Sequence, residues 1–482
     1  MDQHQAPVIQ ELSRLIPSLP VYTVSNPQFE HYRMTYNRAL THQPLAIVRP
    51  QTEEEISQVV QACSNQRIPL AIRSGGHDFF GRSLVAGGIV IDMRAMDSII
   101  ISPDRTSARV GGGVIAGTLQ QYLAAHQLFT PTGQSKTVGY VSWACGGGYG
   151  FYVGTYGFGV DQILGARVVL ASGAIIDTDD DQELLWALRG AGAGNFGVIV
   201  ELRVKVYPAP KLYAGYLAFP LHEAATVLEE FETVVAHGLP DEFSGDGIVA
   251  HPDMLHGVVS EPCFTFFWCW TAVDGDLEPA RIFLRRMMGL GTVLANTVEE
   301  SQFDIRPAYD MSVTANLLLL ATAAAYGVGD SASATFFCSR NIRGLNPEIG
   351  AIFSGHPPIQ PLSAVIIHNN HGKGVRKEIP NGFSACFPNR FPHVILGLHG
   401  GTHSDAEAGS DTITEASSWA KQLRREIEER ELALDGGFPS FFPPEQIDVE
   451  QFLGVQATDR LRRLKGRLDP DNVFSGGMVK CL

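Results

Sequence analysis

The residues best suited to chemistry in this 482-residue sequence form a glycine-rich turn, Arg73 to Asp78 (RSGGHD), directly after a predicted strand. Two adjacent glycines let successive backbone amides point the same way, which makes a concavity suited to phosphate oxygens. The spacing is not that of the GxGxxG fingerprint, and the sequence contains no Gly-Lys-Ser or Gly-Lys-Thr of a P-loop. The turn therefore favours a phosphate-bearing ligand and argues against a nucleoside triphosphatase.

Two further glycine runs follow, Cys145 to Gly150 (CGGGYG) and Gly190 to Gly197 (GAGAGNFG). So many missing side chains allow a flat ring or a pyrophosphate to lie against main chain. Each run alone is as consistent with a surface turn as with a ligand site. Together with the first turn, they favour a long cofactor that touches the protein at several points.

Composition and charge exclude several classes of protein. The formal net charge of -15 opposes binding to nucleic acid. The seven cysteines include no CxxC pair, which indicates reduced, structural thiols. The amino-terminal residues lack a signal-peptide core and no segment has about 18 consecutive apolar residues, so we expect a cytoplasmic protein that does not enter membranes. The sequence indicates no particular oligomeric state.

The elements that must position the first turn are a strand, a helix and a second strand. Pro44 to Pro50 (PLAIVRP) is an apolar run bracketed by prolines, which predicts a short buried strand. Thr52 can cap a helix, with Glu55 three positions further on. Pro69 to Arg73 predicts the second strand, so the unit is a crossover whose two strands are parallel neighbours.

Similar patterns extend to residue 206 and predict an α+β domain. The strands are expected at Gly88 to Met93, Ser107 to Val110, Ala166 to Ala171 and Val198 to Val206. The helices are expected at Gly117 to His126 and Gln182 to Arg189. The prolines in Tyr207 to Pro210 then indicate a linker or a change of domain.

From about residue 211 to residue 434, helical and strand-like stretches alternate. The most apolar strand-like runs are Phe264 to Trp270 and Ser363 to His368, and together they predict a sheet covered by helices. At the end of the chain, Asp459 to Phe474 predicts a helix that stops at Asp469-Pro470.

Six motifs in register carry a family resemblance: PLAIVRP, RSGGHD, TVGYVSWACGGGYG, YGFGVDQILGARVV, ELLWALRGAGAGNFGVIVELRVKVYP and RLRRLKGRLDPDNVF. From about residue 40 to its end, the chain resembles the berberine-bridge-enzyme-like branch of the oxygen-dependent FAD-linked oxidases. The resemblance implies an N-terminal extension (1–39), a PCMH-type FAD-binding domain (40–210) and an inserted α/β substrate-binding domain (211–440) with an antiparallel sheet. A C-terminal segment (441–482) is implied to return to the FAD domain and close it.

The resemblance also implies how FAD is held. The histidine of RSGGH bonds covalently to the 8α methyl group of the flavin in this family, and that position is His77. Such a tether raises the hydride affinity of the flavin and fixes the cofactor in place. The residues implied to contact FAD, besides His77, are Arg73, Ser74, Gly75, Gly76, Asp78, Ser83, Ser135, Thr137, Val138, Gly139, Gly146, Gly147, Gly148, Tyr149, Gly150, Asp161, Gly197, Val198, Ile199 and Asn472.

The sequence departs from the family at Ser135 and at Phe438. Ser135 stands where many members have a second, cysteine tether, so we expect one covalent bond, and Cys145 is assigned only to packing. Phe438 stands where the family has a tyrosine, and the family uses this tyrosine or a neighbour as its catalytic base, whereas phenylalanine has no proton to exchange. Phe438, Ser440 and Trp143 are assigned to the substrate pocket, which suits an apolar molecule better than a sugar. Val138 matches the position linked to oxygen access, which favours an oxidase.

Three explanations of the missing base stay open. Another side chain can serve, or the substrate needs little help, or the protein is an isomerase or cyclase with little net redox turnover. The unranked candidates are Tyr309, Tyr326, His368, His371, His399 and Asp405. His399 and His403 are separated by two glycines, which favours a loop, and no metal is assigned to them.

The sequence therefore predicts an FAD-dependent oxidoreductase that acts on a small, largely apolar organic molecule in secondary-metabolite biosynthesis. Hydride passes to the flavin and electrons then pass to dioxygen. The alternatives are the isomerase or cyclase, and a non-catalytic protein that carries a flavin.

Overall fold

The computed structural model describes residues 6–37, 40–255, 259–301, 332–376, 385–403 and 411–477. Within these ranges the strands form four sheets. The α+β class predicted from the sequence is confirmed. The 3₁₀ helices in these ranges are Met93–Ala95, Gly159–Asp161, Leu221–Glu223, Pro252–Leu255, Met288–Leu290, Pro439–Phe441 and Pro444–Gln446.

The first sheet carries the RSGGHD turn at the end of one of its strands. Its strands are β1 (Val21–Thr23), β2 (Ala46–Val48), β3 (Leu70–Arg73) and β4 (Ile89–Asp92). Their order is β1-β2-β4-β3, with β4 parallel to both β2 and β3. The expected crossover strands are therefore parallel, but the prediction that they are neighbours is wrong. All four residues of β4 are buried, and such an apolar strand takes the central position.

The helices of this part are α1 (Ala6–Leu15), α2 (Phe29–Arg33) and α3 (Glu53–Gln66). The predicted cap of α3 is confirmed, because the Thr52 side chain accepts a hydrogen bond from the backbone N–H of Glu55 at 3.2 Å. One face of α3 is buried, and it includes Ile56, Val59 and Val60. This packing places α3 beside the sheet that presents the turn.

The second sheet is antiparallel and supports the other two glycine runs. It contains β5 (Ile99–Ile101), β6 (Ser107–Gly111), β8 (Ile163–Val169), β9 (Ile175–Asp177) and β10 (Val198–Lys205), in the order β5-β6-β10-β8-β9. A separate pair joins β7 (Leu128–Phe129) to β11 (Tyr207–Pro208), so the expected linker begins inside a short strand. The helices here are α4 (Ala116–Ala124), α5 (Tyr140–Cys145), α6 (Val153–Tyr156) and α7 (Gln182–Ala191).

The third architectural part is a nine-stranded sheet whose pairings are antiparallel, in the order β15-β12-β14-β13-β18-β19-β17-β20, with β16 paired to β12. Its strands are β12 (Lys211–Pro220), β13 (Gly247–Ala250), β14 (Cys263–Ala272), β15 (Ala295–Asn296), β16 (Glu299–Ser301), β17 (Ala332–Ile342), β18 (Ala364–Asn370), β19 (His393–His403) and β20 (Ala433–Leu434). Its helices are α8 (Ala224–Ala236), α9 (Glu278–Met287), α10 (Pro347–Gly355) and α11 (Asp411–Glu429).

Helices cover one face of this sheet, as predicted. Phe231, Phe283, Phe353 and Trp419 come from the four helices and join Trp268 of β14 in one apolar cluster. Part of the other face packs on Phe129 and Tyr152 of the first part of the chain, and residues of β17, β18 and β19 line the cavity described below.

The expected loop at His399 to His403 is wrong, because these residues belong to β19. A Cβ at Gly400 would lie 2.3 Å from the carbonyl oxygen of Ala416 in α11, so the glycine permits close packing of helix on strand. Within the described ranges, no group of histidine, cysteine or acidic residues is arranged to hold a metal ion.

The C-terminal segment forms α12 (Val449–Leu453) and α13 (Val455–Leu468). The predicted helix is present, although it begins four residues early and ends before Asp469-Pro470. Lys465 Nζ donates hydrogen bonds to the carbonyl oxygens of Asn195 (2.7 Å) and Phe474 (3.0 Å), which ties the segment to the third glycine run. Among the helices described, none is both long and apolar enough to cross a bilayer.

Candidate functional site

The three glycine runs and residues of β17, β18 and β19 in the large sheet surround a cavity of about 330 Å³. This volume lies within the range of about 300–1,000 Å³ that is usual for ligand sites. The first and third runs are separated by more than 110 positions in the chain, and the first two sheets bring them together. The cavity is therefore assembled by tertiary structure from segments that are distant in the chain.

The RSGGHD turn presents Ser74, Gly76, His77 and Asp78 to the cavity. Gly75 lies behind it, because a Cβ there would be 2.2 Å from the backbone nitrogen of Gly139. Gly139 is equally confined, since its own Cβ would be 2.3 Å from Ser74 Oγ. The two glycines thus let two backbone segments touch and do not line the cavity.

Arg73 also points away from the cavity. Its guanidinium donates hydrogen bonds to the carbonyl oxygens of Tyr32 and Met34. Burial lowers its pKa to about 10, and nearby Arg94 contributes to the decrease. We infer that Arg73 stabilises the turn from outside.

His77 is enclosed by groups from three segments. Its Nε2 lies 2.6 Å from Thr137 Oγ1, and its ring centroid lies 4.4 Å from that of Tyr36. Burial lowers the pKa of His77 to about 3, with a further contribution from the positive charge of Arg73. The imidazole is therefore neutral at physiological pH and keeps a nitrogen lone pair. Thr137 itself does not line the cavity, but Ser135, which lies 3.2 Å from it, does.

Asp78, Arg82 and Ser83 form the next stretch of wall. Arg82 Nη1 donates to Asp78 Oδ1 at 2.6 Å, while Arg82 Nη2 donates to the carbonyl oxygen of Phe442 at 2.5 Å. This arginine was not anticipated, and it joins the first turn to the segment that follows Phe438. Ser83 Oγ is buried and has no hydrogen-bond partner in the part of the chain that is described. Its hydroxyl is available to a polar ligand.

The second glycine run contributes Gly146, Gly148 and Tyr149 to the lining. Gly147 instead packs against Phe438, and a Cβ at Gly150 would lie 2.6 Å from the carbonyl oxygen of Thr132. Val138 also lines the cavity. Burial raises the pKa of the Cys145 thiol, which keeps that side chain protonated and inert.

Asp161 lies outside the cavity wall. Its Oδ2 and Oδ1 accept hydrogen bonds from Arg390 at 2.7 and 2.8 Å, and Oδ2 also accepts the backbone N–H of Phe158 at 2.9 Å. The carboxylate is buried. Its ion pair with Arg390 joins the first part of the chain to the loop before β19. The contacts assign Asp161 to structure.

The third glycine run supplies Gly192, Ala193, Gly194 and Gly197, followed by Ile199. Val198 is buried within the sheet, and Asn472 is an exposed residue with a φ of 52°. Phe474 and Gly476 close this end of the cavity instead of Asn472. The C-terminal segment thus lines the cavity through residues other than Asn472.

The proposed substrate residues Phe438, Ser440 and Trp143 all line the cavity. They are joined by aromatic residues that sequence reasoning missed, namely Tyr36, Phe79, Phe337 and Phe441. Phe79 stacks on Phe337 with a centroid distance of 4.2 Å and an interplanar angle of 7°. No local pattern marked them, because they come from four separate segments.

The candidate bases differ in whether they line the cavity. His368 lines the cavity, but His371 and His399 do not. Both ring nitrogens of His371 are buried without a partner among the described residues, and burial lowers its pKa. Burial also lowers the pKa of His399, to about 4. Tyr309, Tyr326 and Asp405 lie outside the described residues.

His368 belongs to a polar group that the sequence did not reveal. Its Nδ1 lies 3.3 Å from Asp246 Oδ2 and 3.2 Å from Gln134 Nε2, and Gln134 also donates to Asp246. Gln134 lines the cavity beside Ser135. Asp246 precedes β13 and would have been found only from the register of β13 on β18, where Gly247 is opposite Ile367.

The cavity fits FAD, the cofactor that the family resemblance implies. Bare main chain at Gly76, Gly148 and Gly194 offers amides and close approach to a pyrophosphate. The unpartnered Ser83 hydroxyl offers a further polar contact. The aromatic residues offer apolar walls for a ring system.

Comparison with known proteins gives consistent results. Residues 44–179 match the family described as "FAD binding domain". The chain is 33% identical over 474 residues to the FAD-linked oxidoreductase aurO of Gibberella zeae, and the match covers 98% of this chain and 87% of that protein.

Solved structures share the fold over almost the whole chain. The 6-hydroxy-D-nicotine oxidase of Arthrobacter nicotinovorans superposes with a TM-score of 0.77 and 25% identity, covering 96% of this chain and 97% of that one. A variant of the berberine bridge enzyme in complex with (S)-reticuline gives 0.76 and 19%, covering 98% and 97%. The second likeness concerns the fold alone.

Proposed function

Because this chain belongs to the berberine-bridge-enzyme-like family of FAD-linked oxidoreductases, we propose that it is an oxidase of a small, largely apolar aromatic molecule. In this proposal the 8α methyl group of FAD is bonded to His77, and dioxygen is the final electron acceptor. Bound FAD supplies the acceptor for a hydride from the substrate and delivers the two electrons to dioxygen. The protein binds and orients both molecules, excludes water and accepts protons.

One observation carries the proposal: an unbroken series of ring contacts runs from His77 to the large sheet. Tyr36 lies 4.4 Å from His77, Phe79 lies 4.8 Å from Tyr36, and Phe337 lies 4.2 Å from Phe79, all measured between ring centroids. The proposed tether and the apolar wall therefore belong to the same cavity. A ring held by His77 would face a surface that favours flat, apolar partners.

The state of His77 supports covalent attachment. A ring nitrogen must have a free electron pair to form a bond to carbon, and burial keeps this imidazole neutral by lowering its pKa to about 3. Ser135 lines the same cavity, and a hydroxyl does not replace the thioether of a cysteine tether. We therefore propose a single covalent bond.

The lining supports an apolar substrate. Phe337, Phe438 and Phe441 have no group that can pair with a sugar hydroxyl, and unpaired hydroxyls would weaken binding. The relative from Arthrobacter nicotinovorans is named as an oxidase of 6-hydroxy-D-nicotine, which is a small ring compound. We propose secondary-metabolite biosynthesis as the setting.

Acid precipitation of the purified protein tests the attachment. We expect a yellow pellet and, after digestion, a flavin-labelled peptide that contains His77. His77→Ala should release its flavin into the supernatant, whereas His237→Ala, at an exposed site, should behave like the wild type. A colourless wild-type pellet, or a label on another peptide, would refute the attachment.

Reoxidation of the flavin tests the use of dioxygen without knowledge of the substrate. The bound flavin is reduced with dithionite without air, and air-saturated buffer is then added in a stopped-flow instrument. An oxidase should recover its yellow colour within seconds. Recovery over many minutes would contradict the oxidase and favour the isomerase or cyclase alternative.

A further inference from the structure

A carboxylate, an imidazole and an amide meet at the wall of the cavity that the large sheet provides. Asp246 Oδ1 accepts the backbone N–H of Asn369 at 2.9 Å, which fixes the carboxylate against β18. Asp246 Oδ2 is then directed at His368 Nδ1, 3.3 Å away, and at the Gln134 amide. The side chains of Asp246 and His368 are only 3% and 9% exposed. The three groups are therefore held in a defined arrangement.

The hydrogen bonds determine which nitrogen of His368 carries its proton. A carboxylate oxygen can only accept hydrogen bonds, so Gln134 Nε2 donates to Asp246 Oδ2, and His368 pairs with the same oxygen through a protonated Nδ1. An unprotonated Nδ1 would place two electron pairs against each other at 3.3 Å. In the neutral imidazole the free electron pair is consequently on Nε2.

Nε2 faces the cavity. The polar contacts of His368 with the described residues both involve Nδ1, which pairs with Asp246 Oδ2 and lies 3.2 Å from Gln134 Nε2. His368 and Ile366 line the cavity, whereas Val365 and Ile367 pack into the cluster beneath the helices. This alternation along β18 directs the imidazole away from the helices and toward the bound molecules.

The surroundings of His368 are aromatic. Its ring is nearly parallel to that of Phe441, with centroids 6.4 Å apart and an angle of 3°, and it lies 4.5 Å from the ring of Tyr149. Burial raises the pKa of Tyr149 well above its usual value, and the charge of Asp246 adds to this effect. The Tyr149 hydroxyl stays protonated and can donate a hydrogen bond to an oxygen in the cavity.

We infer that His368 is the catalytic base of this enzyme and that Asp246 is its positioning residue, acting on a substrate with an aromatic hydroxyl group. The inference rests on the proposed function. The O–H bond of the substrate breaks, its electron pair stays on oxygen, and the proton forms a new N–H bond at Nε2. The resulting imidazolium is paired with Asp246, and it later returns the proton to solvent. This transfer changes no oxidation state.

The acidity of the hydroxyl decides in favour of an aromatic substrate. A phenol, with a pKa of about 10, lies only about 3 to 4 units above an ordinary imidazolium. A water-like hydroxyl, with a pKa near 16, lies about 9 units above it. A histidine therefore ionises the first at a much smaller cost in free energy than the second. The Phe441 ring provides a flat surface against which an aromatic ring can pack.

The experiment uses 4-nitrophenol as a probe of the flavin-loaded protein. Its anion absorbs at longer wavelength than its neutral form, so the difference spectrum reports the charge of the bound probe. The titration is made at a pH about one unit below the pKa of the free probe. We expect wild-type protein to bind the probe as the anion, because the proton moves to His368.

Variants identify the residues responsible. His368→Gln should bind the neutral probe only, and Asp246→Asn should reduce the ionised fraction by about tenfold because the imidazolium loses its counter-charge. The double variant should bind the probe with the same ionised fraction as His368→Gln, because the two residues act as a unit. His237→Gln should match the wild type.

Two results would overturn the inference. One is an unchanged anion band in His368→Gln, and the other is a wild-type protein that binds no ionised probe. If His368→Gln does not fold, Asp246→Asn still decides, because an unchanged ionised fraction in that variant contradicts the pair. The flavin band in the same spectrum separates the two proposals: a colourless preparation counts against FAD, while a yellow one without the expected shifts counts only against His368.

Discussion

Gly147 and Phe438 are in such close contact that a Cβ on the glycine would lie 2.2 Å from Cζ of the phenylalanine. The glycine has a φ of 122°, and the phenylalanine comes from a segment almost 300 residues further along the chain. The contact therefore sets the position of Phe438 at the cavity wall. It also explains why this glycine does not itself line the cavity.

We expect Gly147→Ala to destabilise the protein and to displace Phe438. Positive φ and overpacking each cost about 1–3 kcal/mol, so a loss of about 2–6 kcal/mol is expected. The measurement is urea unfolding followed by fluorescence. Gly466→Ala is the control, because its Cβ meets nothing within 4 Å in helix α13, and it should stabilise the protein by about 0.5–1 kcal/mol. Equal stability of Gly147→Ala and wild type would show that Phe438 moves freely.

The buried pair of Asp161 and Arg390 supports a second expectation. Asp161→Asn removes the carboxylate and leaves the guanidinium partly buried without its charge partner, which should cost about 3–5 kcal/mol. Asp179→Asn breaks the more exposed pair with Arg203 and should cost less than about 1 kcal/mol. Urea midpoints of the two variants give the comparison.

The folded fraction of Asp161→Asn should keep its flavin, because Asp161 lies outside the cavity wall. Flavin absorbance relative to protein checks this point. Selective loss of flavin at unchanged stability would show that Asp161 contributes to flavin binding.

Acid sensitivity follows from His399. Burial lowers its pKa to about 4 in the folded protein, whereas the unfolded chain has a value near 6.5. As the pH falls below about 6.5, the unfolded chain binds a proton that the folded protein does not. The contribution of neutral His399 to the free energy of unfolding is therefore fully present above that pH and is lost as the pH falls toward 4. The expected loss between pH 7 and pH 5 is about 2 kcal/mol for this residue.

Unfolding in urea at the two pH values measures the effect. His399→Gln should show a smaller difference between pH 7 and pH 5 than the wild type, while His237→Gln at an exposed site should keep the full difference. The same difference in His399→Gln and wild type would mean that other groups cause the acid sensitivity.

A cysteine at position 135 should provide a second attachment point for the flavin. Ser135 lines the cavity, and its Oγ lies 3.2 Å from Thr137, which also contacts His77. We expect the double variant His77→Ala/Ser135→Cys to retain yellow colour in the acid pellet, because a thiolate is a far better nucleophile than a hydroxyl. His77→Ala/Ser142→Cys is the matched control, since Ser142 also lines the cavity. A colourless pellet from the first variant would show that a thiol at position 135 cannot form a bond to the flavin.

Local patterns accounted for much of the fold. The Thr52 cap, the strand at Leu70–Arg73 and the apolar run at Cys263–Ala272 were all predictable, because capping and burial depend on residues that are close in sequence. The order of the first sheet was not predictable in this way. Whether β4 lies between β2 and β3 depends on packing between strands that the local pattern does not describe.

The candidate site also has features that the sequence predicts and features that it does not. The sequence by itself determined that the chain has the glycine runs and His77, and that Phe438 cannot act as a base. Only the tertiary structure decided that Asp246, His368 and Gln134 meet, and that Asp161 pairs with Arg390. The physical reason is that strand register and the packing of the large sheet on the first part of the chain select contacts across more than 100 residues. Residue type and spacing alone do not predict these long-range contacts.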